Sequence, residues 1–355
     1  MSIPPPLASA GGGARRRPKN LPSLPMSAFS PPNTGTSDMF PMPPTPSAVF
    51  PESIVDAHAT PATLAELREE GAARLLADKV KGVVLVLDGD GKAKTSEEVE
   101  AALAQLQIDF PVLSVLVPFS LSAPPPAAGG VPASAKYPTT LYTTFNETAP
   151  QDAAAMAKTL RWALQTARVV DIDVQGDAMA NDAADRFVAL LTDATEGMQA
   201  SPPTIVLSNV CPPPHDLSLP IVKLMNHPTY RAYQSQTATL SFFPKLHIKF
   251  TPPSWGAPLP PRGTPSDPGE EALEWKRRIK MYIGPVLEAF GYERIIFGTA
   301  PSPANASLNN ASVFMDWYAL VRESFAELAV EQEAIDAVFA ENARRVYGTG
   351  APSSS

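Results

Sequence analysis

The chain has 355 residues, of which 44% are hydrophobic, and a formal net charge of −8. This acidic balance argues against a surface that binds nucleic acid, and no apolar run approaches the roughly 18 residues that a membrane span needs. Cys211 is the single cysteine and cannot form an internal disulfide, so we expect a protein of a reducing, cytoplasmic compartment.

Residues 1–50 differ in composition from the rest of the chain. They are rich in Pro, Gly and Ser and lack a helical or alternating apolar pattern, so we expect a disordered tail. Within it, Arg15–Lys19 is a candidate nuclear-import signal or acidic-partner site, with a merely solubilising role as the alternative. Pro41–Pro46 is a candidate polyproline ligand for a protein partner. Residues 350–355 are expected to form a flexible C-terminus.

Short β-branched runs bounded by Gly and Pro then alternate with helical apolar spacing. The predicted strands are Ser53–Thr60, Lys81–Asp88, Val112–Val117, Thr139–Phe145, Val169–Val174, Thr204–Val210, Lys245–Phe250 and a last one within Gly291–Pro301. The predicted helices are Pro61–Leu76, Thr95–Leu106, Gln151–Ala167, Asp182–Met198, Leu219–Gln234, Glu270–Phe290, Ala311–Glu327 and Glu331–Val346. This α/β alternation predicts a (β/α)8 TIM-like barrel over 51–349 rather than an open doubly wound sheet.

Several strand motifs resemble those of one known family. The run Ile54–Thr60 is similar to an opening Ile-Ile-Asp-x-His-x-His, and the run Tyr292–Ala300 is similar to a last strand that ends in Phe-Gly-Ser-Asp. Leu246–Thr251 resembles a seventh strand ending in Lys-Leu-Ser, and Glu341–Gly348 resembles a closing Glu-Asn-Ala-x-x-Leu-Tyr-Gly helix. The family is the amidohydrolase-related proteins, in their decarboxylase- and lactonase-like branch.

The resemblance implies a divalent metal at the mouth of the barrel. His58 matches the first metal-binding histidine, whereas Thr60 replaces the second, Asn209 the sixth-strand histidine and Ala300 the last-strand aspartate. Because a catalytic metal needs about three protein ligands, we expect no metal cofactor and loss of the ancestral mechanism. We also expect His58, Asn209 and Ala300 to converge at one mouth.

Other residues offer a reworked site. His58 could act as a base with Asp56 beside it and Lys249 as an electrostatic stabiliser, although a buried hydrogen-bonded network is the alternative. Asp171 and Asp173 lie two residues apart on one strand face, which suits paired carboxylates but also follows from simple alternation. The remaining candidate pocket residues are Asp88, His247, Trp255 and Arg262. If such residues rebuild a metal site, one zinc or manganese ion is the alternative cofactor.

Three functions therefore stay open, and the sequence does not decide whether the protein is an enzyme. The first is a binding or regulatory barrel that has lost the metal-dependent activity and takes a small-molecule ligand at its mouth. The second is a hydrolase or carbon-carbon lyase with a reworked site around His58. The third is a scaffold that recruits partners through its Pro-rich tail.

Overall fold

The apolar runs pair into one parallel sheet in a computed structural model of the protein. The structure describes residues 48–69, 71, 73–87, 95–125, 132–146, 152–175, 181–210, 219–253, 255, 259–261, 269–301, 313–328 and 330–348. All of these belong to one compact unit, 44–355. The hypotheses on the basic and polyproline motifs of the tail fall outside the described residues and stay predictions.

The sheet has eight strands, hydrogen-bonded in chain order with every pair parallel. The strands are β1 Ile54–Ala59, β2 Val80–Val86, β3 Val112–Pro118, β4 Thr139–Asn146, β5 Val169–Gln175, β6 Thr204–Ser208, β7 Leu246–Phe250 and β8 Ile295–Phe297. The N–H of Ala300 donates to the carbonyl of His58 at 2.9 Å, which places β8 beside β1. The sheet is therefore a nearly closed barrel, and the predicted (β/α)8 fold is confirmed.

Helices connect the strands and cover the outside of the barrel. They are α1 Pro61–Arg68, α2 Arg74–Ala77, α3 Ser96–Ala104, α4 Ala153–Thr166, α5 Asn181–Thr195, α6 Ile221–Met225, α7 Pro228–Leu240, α8 Glu270–Phe290, α9 Val313–Glu327, α10 Gln332–Asp336 and α11 Asn342–Tyr347. A π-helical turn, Ala337–Glu341, joins the last two. Between β3 and β4 the described residues contain no helix. None of the described helices is long and apolar enough to cross a membrane.

Local chemistry explains several helix boundaries. Thr60 and Thr95 each precede a helix and form a capping box. The threonine hydroxyl accepts the backbone N–H of the residue three positions later, and the side chain of that residue accepts the backbone N–H of the threonine. Two predicted helices are interrupted. The first is split in two around Gly71, whose φ is 155°, and the fifth, Leu219–Gln234, is split before Pro228, which starts α7.

The tail boundary also differs from the prediction. Val49, which the composition assigns to the tail, is buried, and its carbonyl accepts a hydrogen bond of 2.9 Å from the Arg322 guanidinium. The Phe50 ring lies 4.4 Å from that guanidinium carbon. These two residues are apolar and therefore dock onto α9, although they follow a Pro-rich segment.

The core has two layers. One lies between the strands and the outer helices, and the other fills the barrel interior. The interior layer includes Ala340, Ala343, Val346 and Tyr347, from the closing helical segment, packed against strand residues such as Val169 near the N-terminal ends of the strands. The closing helix therefore plugs the lower end of the barrel and leaves the C-terminal ends of the strands for a site.

Candidate functional site

His58 lies near the C-terminal end of β1 and faces the barrel interior. The pairing register between β1 and β2 is irregular between Asp56 and Ala59, and the imidazole lies 6.1 Å from the Tyr142 ring of β4, centroid to centroid. The side chain is buried, and neither ring nitrogen has a hydrogen-bond partner of normal geometry among the described residues. Buried polar atoms are nearly always satisfied, so this pair of nitrogens is an exception within the described core.

The surroundings keep the His58 imidazole neutral. Burial lowers its pKa well below the usual 6.5, and the positive charge of Lys249 lowers the pKa further, while a polar contact with the Ala300 backbone raises it. A neutral imidazole carries one N–H donor and one acceptor nitrogen. His58 can therefore both donate and accept a hydrogen bond at neutral pH.

Tyr142 supplies a second unsatisfied group beside His58. Its ring is buried, and its hydroxyl has no hydrogen-bond partner within the described part of the chain. Burial raises the pKa of Tyr142 well above its usual value, and the charges of Asp173 and Asp171 raise it further. The hydroxyl therefore keeps its proton. We call the His58 imidazole and the Tyr142 hydroxyl together the upper site.

Below the upper site lies a buried ion pair, which with its hydrogen-bond partners we call the central network. Lys249 Nζ lies 2.5 Å from Asp171 Oδ2 and also donates to the carbonyl of Ala57 at 3.3 Å. The Tyr347 hydroxyl donates to the same Asp171 oxygen at 2.7 Å, and the Ser208 hydroxyl lies 3.4 Å from Oδ1. Both charges are completely buried and joined to each other, which is the condition under which a buried charge is tolerated.

Asp56 joins the first and last strands instead of facing a substrate. Its Oδ1 accepts the N–H groups of His58 at 3.0 Å and Thr299 at 2.9 Å, and its Oδ2 accepts the Thr299 hydroxyl. Burial raises its pKa, against the opposing effect of these hydrogen bonds. With both oxygens occupied and the side chain fully buried, Asp56 is a structural residue that holds β8 against β1.

Thr60, Asn209 and Ala300, at the three replaced positions of the family site, make other contacts in this protein. The Thr60 hydroxyl caps α1, and Asn209 donates from Nδ2 to the carbonyl of Val174 at 2.8 Å. Asn209 has a φ of 58°, a left-handed conformation that Asn tolerates better than most residues. Ala300 follows β8 and contacts the backbone of His58. All three lie at or beyond the C-terminal ends of their strands.

The residues present do not fit the divalent metal that the family resemblance implies. Among the described residues, no three His, Cys, Asp or Glu side chains come together as a ligand set. His58 is the single imidazole of the upper site, and the Lys249 ammonium is close enough to oppose positive charge on it.

The other candidate residues are dispersed. Asp173 lies beside Tyr142, and its Oδ2 accepts a hydrogen bond of 2.9 Å from Gln175. His247 lies at the start of β7, at the opposite end of the barrel, where it bonds to the Lys245 carbonyl at 3.1 Å. Trp255 is buried and stacks 4.6 Å from Trp275, so it anchors the loop after β7 in the outer core. Asp88 and Arg262 lie outside the described residues.

Sequence reasoning did not find Tyr142, Tyr347 or Gly298. Strand alternation alone was a sufficient signal for Tyr142, because it shares the interior face of the sheet with Asp171 and Lys249. Gly298 permits the close approach of β8 to β1, since a Cβ there would lie 2.9 Å from the His58 Cβ. The role of Tyr347 has no local signal in the sequence.

Comparison with known proteins identifies the architecture. The sequence matches no protein-family model and no curated protein. Among solved structures, an amidohydrolase from Burkholderia multivorans with bound zinc is 17% identical, with a TM-score of 0.52 over 83% of this chain and 99% of that chain. The chain has the fold of an amidohydrolase barrel.

A further solved structure agrees with this fold. It is a second crystal form of the B. multivorans amidohydrolase, with bound Hepes, which is 16% identical with a TM-score of 0.53, over 83% of this chain and 99% of that chain. The resemblance drawn from the strand motifs is therefore confirmed for the fold.

Proposed function

We propose that this amidohydrolase-like barrel binds a small polar molecule at the upper site, beside His58 and Tyr142, without a catalytic divalent metal. The observation that carries the proposal is the set of three buried polar atoms, the two His58 nitrogens and the Tyr142 hydroxyl, that lack hydrogen-bond partners of normal geometry among the described residues. Leaving such atoms unsatisfied costs about 1–3 kcal/mol each, so a molecule that forms hydrogen bonds with them recovers this free energy on binding.

The metal-free part of the proposal rests on charge and on ligand count. One imidazole cannot hold a catalytic metal tightly, and the nearby Lys249 ammonium opposes a second cation. The Thr60 and Asn209 side chains are already engaged in hydrogen bonds with the protein. A binding or regulatory barrel is the function that these residues support best.

A second candidate is a metal-independent hydrolase or carbon-carbon lyase that uses His58 as a general base. The observation in its favour is the neutral imidazole, because only the unprotonated form can accept a proton. Turnover of 4-nitrophenyl acetate that survives a chelator and is lost in His58→Gln would favour this candidate over a purely binding role. Equal turnover in the two proteins would exclude His58 as the base.

Binding is tested on the full chain with three ring-matched probes: benzamide, benzoate and benzamidinium. The chain has four histidines, so isotope labelling of histidine gives few imidazole signals, and His58→Gln assigns the one of interest. We expect at least one probe to shift the His58 signals saturably with a Kd of about 1 mM or tighter. If none of the three probes shifts those signals at 10-fold higher concentration, the proposed function is wrong.

A further inference from the structure

We infer that a groove between the C-terminal parts of helices α5 and α7 binds a small, uncharged aromatic molecule. The groove has a volume of about 590 Å3, within the range of small-molecule sites, and we call it the lower groove. Ile205 and Leu246 line it near the N-terminal ends of β6 and β7, so it lies toward the opposite end of the barrel from the upper site. Its apolar lining also includes Val188, Met198, Pro203, Phe242 and Phe243.

Two adjacent aromatic rings supply apolar contact surface in the lower groove. Phe242 is 83% exposed although its side chain is large and apolar, and Phe243 beside it is half-buried. Both line the groove. An aromatic ligand packed against these rings would remove apolar surface from water on both sides, and aromatic pairs are stabilised beyond the area that they bury.

The threonine hydroxyls of the lower groove are already engaged. Each donates to the carbonyl of the residue four positions earlier in its own helix, at 2.7–3.0 Å, and the three residues are Thr192, Thr195 and Thr239. Their hydroxyl protons are therefore not available to an acceptor on a ligand. These walls favour a ligand that needs few hydrogen bonds.

The charges at the rim of the lower groove cancel. Glu196 lies 3.5 Å from the Arg161 guanidinium, and the exposed side chains of Asp193 and Lys245 carry opposite charges. Ion pairs with such exposed groups contribute little, whereas moving a charged group out of water into apolar surroundings is costly. An uncharged ligand is therefore favoured over an anion or a cation.

Two arginines hold the walls of the lower groove in place. Arg161 donates to the carbonyl of Asp193, in the last turn of α5. Arg294 donates to the carbonyls of Ser241 at 3.0 Å and Phe243 at 3.3 Å, the two residues that flank Phe242. Because these segments are fixed before a ligand arrives, binding requires little further ordering of the chain.

The test uses two fluorescent probes with the same ring system on the full chain. N-phenyl-1-naphthylamine is uncharged, and 8-anilinonaphthalene-1-sulfonate differs from it by one sulfonate. We expect the uncharged probe to bind saturably with a Kd of about 100 μM or tighter, and the sulfonate to bind at least about tenfold more weakly.

Methionine labelling locates the bound probe without a variant that alters the groove's charge. The chain has ten methionines, so methyl labelling gives few signals, and Met198→Leu assigns the one in the lower groove. The uncharged probe should shift the Met198 signal. The signal of Met315 in α9, assigned in the same way, should stay unchanged.

A pair of neighbouring substitutions on α7 tests the groove itself. Thr239 lines the groove and Ala238 does not, and both are exposed. Thr239→Trp should fill the groove and weaken binding of the uncharged probe by about tenfold or more, whereas Ala238→Trp should leave its affinity unchanged. Melting curves show whether both variants fold.

The outcomes separate this inference from the proposed function, which is read from histidine signals. Binding of the sulfonate as tight as that of the uncharged probe would overturn the uncharged class. An unshifted Met198 signal, or unchanged affinity in a folded Thr239→Trp protein, would overturn the site. A protein that is dimeric by mass, and that binds the probe only when diluted to a monomer, would mean that a second copy covers the groove, and the inference would be wrong.

Discussion

The hydroxyl of Tyr347 donates a hydrogen bond of 2.7 Å to Oδ2 of Asp171, and both side chains are fully buried. The same oxygen binds the Lys249 ammonium, and the ammonium lies 5.8 Å from the center of the Tyr347 ring. The last helix therefore does more than plug the barrel. Its tyrosine completes the shell around the buried ion pair directly below the upper site.

Removing this hydroxyl should destabilise the protein. Tyr347→Phe leaves the Asp171 carboxylate with one hydrogen bond fewer, and a buried bond to a charged group contributes about 1.5–3 kcal/mol. Urea unfolding measures the loss. Tyr292→Phe is the matched control, because its hydroxyl reaches Glu333 at 3.5 Å on the surface and its loss should cost clearly less than the loss of the Tyr347 hydroxyl. Equal stability of the two variants would contradict the central network.

The buried ion pair should tolerate the loss of both partners better than the loss of one. Lys249→Met leaves the Asp171 charge buried without a cation and should cost about 3–5 kcal/mol, whereas Lys249→Met with Asp171→Leu should recover most of that loss. Urea unfolding again supplies the free energies. The exposed pair Lys280–Glu327, at 2.6 Å, provides the control, since Lys280→Met should cost under about 1 kcal/mol. A double variant no more stable than the single one would count against this account.

Gly298 should not accept a side chain. In Gly298→Ala the new Cβ would lie 2.9 Å from the His58 Cβ and 3.2 Å from its backbone nitrogen, so β8 or His58 must move at a cost of about 1–3 kcal/mol. Gly284→Ala in helix α8 is the control, because its Cβ would meet nothing within 4 Å apart from its chain neighbours. The melting temperature should fall much further in Gly298→Ala than in Gly284→Ala. A stable Gly298→Ala protein with an unchanged His58 signal would refute the close approach.

His247 should make the protein less stable in acid. Burial, aided by the charges of Arg345 and Arg294, lowers its pKa from 6.5 to about 4, although its hydrogen bond to Lys245 opposes the shift. The unfolded chain therefore takes up a proton first as the pH falls. Neutral His247 contributes its full stabilisation, at most about 3 kcal/mol, above pH 6.5. This contribution is lost as the pH falls from 6.5 to about 4. His247→Gln should flatten this part of the curve, and a difference that stays constant from pH 8 to pH 4 would contradict it.

The fold was accessible from the sequence because its signals are local. Helix α8 spans Glu270–Phe290 as predicted, since glycines flank both ends, and even the weak fourth strand appears at Thr139–Asn146. The closing helix was recognisable from its motif. Breaks in helices were missed where Gly71 and Pro228 interrupt a regular apolar spacing.

The site was only partly accessible, because its contacts join distant parts of the chain. The alternation of side chains along β5 placed Asp171 and Asp173 on one face of the sheet. It could not show that Asp171 pairs with Lys249, two strands away. Asp56 follows the family motif, yet its partner Thr299 is 243 positions further along the chain. Which polar groups are satisfied and which are left for a ligand depends on the stagger of the closed barrel, and no local pattern encodes that.

Restoring the family ligands provides a positive control for the metal-free account. Thr60→His, Asn209→His and Ala300→Asp together with His58 would give a full ligand set, at the cost of the α1 cap and of strain at the left-handed position 209. The triple variant should bind zinc or manganese and melt at a higher temperature with the metal than without it. Each single change leaves the ligand set incomplete and should have no such effect.

The measurement that tests the central claim most directly is the metal content of the unmodified protein, together with its melting temperature with and without added zinc, manganese and iron. We predict no stoichiometric metal and no rise in melting temperature. A metal that binds only the folded protein, at a concentration of a hundred times its dissociation constant, would stabilise the protein by about 2.7 kcal/mol. The resulting rise in melting temperature is readily detected. Stoichiometric metal that disappears in His58→Ala would contradict the account and would return the upper site to metal-dependent chemistry.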